Sequence, residues 1–223
     1  MEGKLWGVSV GPGDAELLTI KALRIINECN TIASARTKGE KSVALGIVSK
    51  AVNIEDKEIL YLDFLMTKDK IELDMSHKKI VKKIVNVLEK GKDIAFVVLG
   101  DISIYSTFSY IQKEIRAMGF ETEICPGVPS FCAVGAKLNM SLTKMKEPLH
   151  IIPANHVEIA DCVRLKGTKV FMKAGSKIED IKKHFGASKV YGIENCEMDT
   201  EKVITDFDDE YGYFTTVIIE DKD

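Results

Sequence analysis

The sequence predicts an α/β protein of two domains. The N-terminal domain has a mainly parallel sheet with helices on both faces, and the smaller C-terminal domain has a mixed sheet. Two observations support this prediction. In the first half of the chain, short apolar runs alternate four times with stretches of helical periodicity, which is typical of strand–helix units with right-handed crossovers. After about residue 141 the predicted strands are short and the helices between them modest. The predicted domains are residues 1–118 and 119–223.

The N-terminal domain is organised around the run 93–99, whose nearly uninterrupted apolar character predicts a central strand buried on both faces. Asp14 is placed to cap the helical stripe that begins near residue 17, and Gly91 ends the longest helix. The predicted strands are 4–10, 31–35, 58–62 and 93–99, and the predicted helices are 17–26, 43–51, 72–90 and 107–118.

The C-terminal domain begins with a strand that enters a loop of two prolines and a glycine, and Ser130 is placed to cap the helix that follows. A charged segment at 139–148 has the composition of a linker. The predicted strands are 121–124, 149–153, 168–172, 189–194 and 213–220, and the predicted helices are 131–138, 157–163 and 178–185.

Composition narrows the class of protein. A net charge of −3 gives no electrostatic case for a nucleic-acid partner or an anionic membrane surface. The sequence contains no apolar run long enough to span a bilayer and no signal peptide, so we expect a soluble, cytoplasmic protein. Its five cysteines form no C-x-x-C pair, which predicts reduced thiols, with neither a metal site nor a disulfide framework.

Small loops rich in main-chain groups follow several predicted strands, at 11–13, 100–107, 126–131 and 172–175. The loop at 100–107 brings a glycine, the Asp101 carboxylate and three serine or threonine hydroxyls to the carboxyl end of the central strand, where open α/β sheets bind ligands. An ordinary strand-to-helix turn is the competing interpretation. The run Phe64-Leu65-Met66 is interpreted as core, with a wall for a flat apolar ligand as the alternative.

Three segments together resemble a known family. They are residues 5–19 (LWGVSVGPGDAELLT), 100–107 (GDISIYST) and 126–131 (PGVPSF), and their order and spacing resemble those of the tetrapyrrole methylases, the class III S-adenosylmethionine-dependent methyltransferases. The resemblance covers nearly the whole chain. It implies two α/β domains with a cofactor cleft between them, S-adenosyl-L-methionine as cofactor, S-adenosyl-L-homocysteine as product, and a homodimer.

The resemblance also implies which residues bind the cofactor. The methionine moiety and the ribose would be held by residues that follow the first and the central strand: Pro12, Leu99, Gly100, Asp101, Ile104, Ser106 and Thr107. Pro129, Ser130 and Phe131 would lie along the cofactor, and Met172 would cover the adenine. Two positions depart from the family pattern: Ile102 stands where Gly-Asp-Pro has proline, and Pro129 where Pro-Gly-Val-Ser-Ser has its first serine. We expect cofactor binding to survive with altered loop stiffness.

The implied reaction is methylation of the C-20 meso carbon of precorrin-2 or cobalt-factor II in cobalamin biosynthesis. Because the macrocycle supplies the nucleophile, the protein mainly aligns the reacting atoms and excludes water. Asp101 is the candidate base for the C-20 proton. Arg36 and Lys38, with Lys68, are the candidates for binding the substrate carboxylates. The alternatives are methylation at another position of a tetrapyrrole, methylation of a protein or RNA by an enzyme of the same fold, and a non-catalytic module that binds an adenosyl ligand.

Overall fold

Pairing of the strands assigns the chain to two units. The computed structural model describes residues 2–36, 42–65, 67, 69–144, 146–184, 186 and 188–221, and the chain divides into Met1–Val128 and Pro129–Asp223. The sequence-based boundary lay at 118/119. The division falls later because the strand Thr122–Cys125 pairs with the first strand of the chain and so belongs to the first sheet.

The first unit contains a five-stranded parallel sheet of order β3-β2-β4-β1-β5. Its strands are β1 (Leu5–Ser9), β2 (Thr31–Arg36), β3 (Glu58–Asp63), β4 (Ile94–Val98) and β5 (Thr122–Cys125). Its α-helices are α1 (Ile20–Glu28), α2 (Val43–Ala51), α3 (Lys70–Leu88) and α4 (Phe108–Ala117). The central position predicted for the apolar run 93–99 is confirmed, because β4 is the middle strand.

Helices cover both faces of this sheet, as the sequence predicts. Successive residues of a strand point to opposite faces, and β4 shows this directly. Val97 packs in a core cluster with residues of α1 and α2, such as Ile26 and Val48. Phe96 packs in another cluster with residues of α3 and α4, such as Ile84 and Ile111. Because all five strands are parallel, the loops that follow them share one edge of the sheet.

Local hydrogen bonds decide where the helices begin. Asp14 accepts a hydrogen bond from the Glu16 amide and caps a short 3-10 turn at Ala15–Leu17. The prediction that Asp14 caps the first α-helix of the chain, α1, is therefore wrong. Thr19 has that role, because its hydroxyl accepts the Ala22 amide at 3.1 Å.

The second unit contains a five-stranded mixed sheet of order β6-β7-β10-β8-β9, in which β6 and β7 are parallel and the other pairs antiparallel. Its strands are β6 (Leu149–Pro153), β7 (Thr168–Met172), β8 (Lys189–Glu194), β9 (Lys202–Val203) and β10 (Thr215–Glu220). Its α-helices are α5 (Ser130–Lys137), α6 (Ile159–Cys162) and α7 (Ile178–Lys182). This directionality brings the ends of β6, β7 and β8 and the start of β10 to one edge.

Two details of the second unit differ from the sequence-based expectation. Ser130 is the first residue of α5 and Pro129 precedes it, so the predicted cap at Ser130 is wrong. The two exposed residues of β9 form a strand that the sequence did not predict, because so short a run has no detectable alternation. Within the part of the chain that the structure describes, no helix is long and apolar enough to cross a membrane.

Candidate functional site

The loops after β1 and β4 are joined by a main-chain bridge between two glycines. The Gly11 amide donates to the Gly100 carbonyl at 3.2 Å, and the Gly100 amide donates to the Gly11 carbonyl at 2.7 Å. Both glycines have positive φ values, 76° and 72°, which other residues adopt only with strain. The bridge places buried Pro12 beside the turn that contains Asp101. The structure thus brings together residues predicted at these two loops.

Asp101 links the loop after β4 to the loop after β5. Its side chain is buried, with 9% of the residue exposed. One carboxylate oxygen accepts the amide and the hydroxyl of Ser103, at 2.8 and 2.5 Å. The other accepts the Gly127 amide at 2.7 Å. The carboxylate therefore holds two loops that are 26 residues apart in the chain.

These hydrogen bonds also determine the charge state of Asp101. Burial raises the pKa of the carboxyl, but the hydrogen bonds from the Gly127 amide, the Ser103 hydroxyl and the Ser103 amide stabilise the ionised form more strongly. The pKa of Asp101 consequently lies below its ordinary value. A carboxylate with a lowered pKa and both oxygens engaged is a weak proton acceptor, which favours a positioning role over that of a base.

Ser9 is a site residue that the sequence-based prediction did not include. It is fully buried at the end of β1, and its hydroxyl accepts the Ile102 amide at 2.9 Å. Proline has no amide hydrogen, so this bond is available because Ile102 replaces the proline of the family pattern. A polar residue inside a buried strand, directly before a glycine-rich loop, was the signal that could have identified Ser9.

Gly127 fits closely against the same loops. A Cβ atom at this position would lie 2.5 Å from the Ser9 Cβ and 3.0 Å from the Gly100 carbonyl oxygen. Both distances are at or below the limit of real Cβ contacts, so any side chain here would push the loops apart. Glycine is therefore required by the close approach of the three loops.

The rest of the β4 loop presents polar groups and leads into α4. Ile104 and Ser106 are half-buried, whereas Thr107 is exposed. The Ser106 hydroxyl accepts the Phe108 amide at 3.2 Å, whereas Thr107, the N-cap residue of α4, makes no side-chain capping hydrogen bond. Tyr105 has a φ of 47°, an unusual conformation for a residue with a side chain.

The remaining predicted cofactor residues lie in the second unit, on two separate elements. Pro129 precedes α5, Ser130 begins it, and Phe131 is buried in its first turn. Met172 is the last residue of β7 and is half-buried.

The predicted substrate residues have mixed outcomes. Arg36 ends β2, its Nε donates to Asp63 at 2.8 Å, and its guanidinium lies 4.4 Å from the centroid of the Tyr61 ring. Lys38 and Lys68 lie outside the described residues.

In the run after β3, Phe64 packs edge-on against Phe96 at 6.4 Å between ring centroids, which confirms its interpretation as core. Leu65 is exposed, so the core interpretation is wrong for this residue, and Met66 lies outside the described residues.

One cluster in the second unit contains possible metal ligands, although the sequence predicted no metal site. Ligand atoms of Cys196, Glu197 and Glu201 lie within 4.8 Å of one another. The Lys137 ammonium is 3.1 Å from the Glu201 carboxylate and 3.8 Å from that of Glu197. Burial, followed by the charges of the two glutamates, raises the pKa of the Cys196 thiol to about 12. The thiol is thus protonated at neutral pH, and both carboxylates already lie within 4.0 Å of the Lys137 ammonium.

The first unit has a parallel sheet with glycine-bridged loops at its carboxyl edge, and the second has a mixed sheet. A solved structure titled as uroporphyrin-III C-methyl transferase from Thermus thermophilus complexed with S-adenyl homocysteine shares this fold, with a TM-score of 0.74 and 17% identity over 98% of this chain and 92% of that one. The two units together thus have the fold of that structure. The chain belongs to the tetrapyrrole (corrin/porphyrin) methylases, a family that matches residues 4–209.

Two sequence relatives are similar over most of the chain. A protein of Methanocaldococcus jannaschii, named as a probable cobalt-precorrin-2 C(20)-methyltransferase, is 38% identical over 151 residues, 67% of this chain and 64% of that protein. The cobalt-precorrin-2 C(20)-methyltransferase of Salmonella typhimurium is 32% identical over 185 residues, 82% of this chain and 77% of that protein. The chain thus matches slightly less than two thirds of the length of the first of these relatives.

Proposed function

We propose that this protein transfers a methyl group from S-adenosyl-L-methionine to the C-20 meso carbon of precorrin-2 or cobalt-factor II in cobalamin biosynthesis. The observation that supports this most strongly is the similarity, at 38% and 32% identity, to two proteins that are named as C(20)-methyltransferases of cobalt-precorrin-2. The family resemblance further implies a homodimer, which sedimentation velocity would test.

The loops of the first unit fit such a cofactor chemically. They present main-chain groups and hydroxyls at the carboxyl edge of a parallel sheet, where α/β proteins bind nucleotides and related ligands. Space for a side chain is missing at Gly127, and the Gly11–Gly100 bridge fixes the main chain beside it. Leu99, Gly100, Ile104, Ser106 and Thr107 would hold the methionine moiety and ribose. Pro12 would lie beside them, and the family resemblance implies that Pro129, Ser130, Phe131 and Met172 also contact the cofactor.

The bound cofactor supplies a methyl group on a positively charged sulfur, which is a strong electrophile. The protein therefore gains most by holding the reacting atoms in line and excluding water. We assign Asp101 to this task as a positioning residue, since its carboxylate fixes the loops after β4 and β5. We assign the proton lost from C-20 to a different acceptor, because the engaged carboxylate has a lowered pKa.

A second candidate function is methylation at another position of a tetrapyrrole. The support for it is that a uroporphyrin-III C-methyl transferase shares the fold across nearly the whole chain. A protein that binds the adenosyl ligand without methyl transfer would have the same loops. Product analysis distinguishes all three.

The experiment is anaerobic incubation of the protein with S-adenosylmethionine carrying a 13C-labelled methyl group, together with cobalt-factor II or metal-free precorrin-2. We expect a mass increase of one labelled methyl and an NMR signal that assigns it to C-20. A methyl at another carbon would favour the second candidate. Measurable S-adenosylhomocysteine binding with no methyl transfer to either substrate would favour the binding module. The rates with the two substrates would show whether cobalt is required.

A further inference from the structure

Two aromatic rings and a lysine lie together at one edge of the second sheet. The lysine directly follows Met172 in the chain, and the two aromatic residues directly precede β10. Tyr213 and Phe214 are 48% and 40% exposed, and their ring centroids are 5.3 Å apart in an edge-to-face arrangement. The Lys173 ammonium lies 5.3 Å from the centroid of the Tyr213 ring. We call Lys173, Tyr213 and Phe214 the aromatic platform. The predicted strand 213–220 included both aromatic residues, but β10 begins after them.

The segment that carries the two rings is held by its main chain. The Gly212 amide donates to the Glu194 carboxylate at 2.5 Å, and the Asn195 amide donates to the Phe214 carbonyl at 3.0 Å. The Thr215 hydroxyl donates to the Gly212 carbonyl at 2.7 Å. These bonds fix the segment at both ends, so the exposed rings are presented by an ordered turn.

The lysine is held in an unusual conformation on the neighbouring strand end. Lys173 has a φ of 58°, which a residue with a side chain adopts at a cost. The Asn155 side-chain amide donates to the Lys173 carbonyl at 3.1 Å, and the Ser176 hydroxyl donates to the Asn155 side-chain oxygen at 2.8 Å. The Ala174 amide donates to the Thr215 carbonyl at 2.8 Å, which joins the end of β7 to the start of β10.

We propose that the aromatic platform binds the rim of the tetrapyrrole substrate, with the rings against its apolar surface and the Lys173 ammonium against a carboxylate arm. This inference rests on the proposed function. Exposed, ordered aromatic rings favour a flat apolar ligand, and an ammonium beside them favours an anionic one. A tetrapyrrole with carboxylate arms satisfies both requirements, whereas an adenine ring carries no negative charge for Lys173 to bind.

The test measures ligand binding and turnover separately, on the full chain. Binding of cobalt-factor II is measured by anaerobic equilibrium dialysis, and binding of S-adenosylhomocysteine by calorimetry. The variants are Lys173→Gln, Lys173→Arg and Tyr213→Leu, and their folding is checked by circular dichroism. Lys189→Gln is the charge-matched control, because Lys189 is exposed and begins β8 at the opposite edge of the same sheet.

We expect Lys173→Gln and Tyr213→Leu to raise the Kd for cobalt-factor II about tenfold, because each variant loses one favourable charged or stacked contact. Lys173→Arg and Lys189→Gln should stay within about threefold of the original protein, and the Kd for S-adenosylhomocysteine should be unchanged in all four variants. In turnover, the two weakened variants should raise KM and leave kcat nearly unchanged.

Each contrary outcome has a defined meaning. Unchanged cobalt-factor II binding in Lys173→Gln and Tyr213→Leu would overturn the platform and leave the proposed function standing. Weaker S-adenosylhomocysteine binding with unchanged cobalt-factor II binding would overturn it by assigning these residues to the cofactor. Binding that depends on the platform in a protein that transfers no methyl group would support the platform and contradict the proposed function. No binding of cobalt-factor II to the original protein would overturn the platform.

Discussion

Replacing Asp101 with alanine removes the acceptor that joins the loops after β4 and β5. The carboxylate accepts hydrogen bonds at 2.7, 2.8 and 2.5 Å from the Gly127 amide, the Ser103 amide and the Ser103 hydroxyl. A hydrogen bond to a charged group contributes about 1.5–3 kcal/mol. The two donors on exposed Ser103 can bind water instead, whereas the half-buried Gly127 amide is less accessible to it. We therefore expect Asp101→Ala to lower the free energy of unfolding by roughly 2–4 kcal/mol.

The charge of Asp101 makes this contribution dependent on pH. Its folded-state pKa lies below the ordinary value of about 3.9, so the stabilisation is complete well above that pH and is lost as pH falls through the lowered folded-state pKa. Asp101→Asn has no charge to lose and should be insensitive to this titration. The stability difference between the original protein and Asp101→Asn is therefore expected to be largest at neutral pH and to shrink in acid.

Amide hydrogen exchange measures the effect where it arises. Protection of the Gly127 amide should fall at least about tenfold in Asp101→Ala, since 1.4 kcal/mol corresponds to a factor of ten. Asp69→Ala is the control, because Asp69 accepts amide hydrogen bonds from Ile71 and Glu72 of its own helix. That variant should leave Gly127 protection unchanged. Unchanged Gly127 protection in Asp101→Ala would refute the linking role.

Three further predictions concern the space at Gly127, the Lys169–Asp221 pair and the cysteines. Gly127→Ala should weaken S-adenosylhomocysteine binding at least tenfold and destabilise the protein by about 1–3 kcal/mol, because its Cβ would collide with buried neighbours. Gly46→Ala, in open space on α2, should instead be neutral or stabilise by up to about 1 kcal/mol, as calorimetry and thermal unfolding would show. Asp221→Asn should destabilise the second unit by about 3 kcal/mol in denaturant titrations, because it leaves the ammonium of Lys169, which is 1% exposed, without its anionic partner. Under native conditions a thiol reagent should modify exposed Cys132 before the buried cysteines, as peptide mass mapping would show; faster labelling of a buried thiol would contradict the packing.

Local patterns determined much of the first unit. The apolar run 93–99 predicted β4 as a buried strand because a parallel sheet covered on both faces leaves it no polar side. The family resemblance pointed to the glycine and aspartate that follow β4 and to the glycine-rich loop after β1. In the second unit the bounds of β6, β7 and β8 were also predicted correctly, since each is a short apolar run between polar segments.

The sequence by itself determined the two α/β units, the burial of β4 on both faces and the place of the glycine-rich loops along the chain, because these depend on periodicity and on residues close together in the chain. Only the tertiary structure decided which of those residues act together. Gly127 donates to Asp101, and Ser9 accepts from Ile102, because the sheet order β4-β1-β5 places three distant loops at one edge. Pairing of β5 with β1 likewise moved the boundary between the units. Such contacts depend on strand order, which no local pattern encodes.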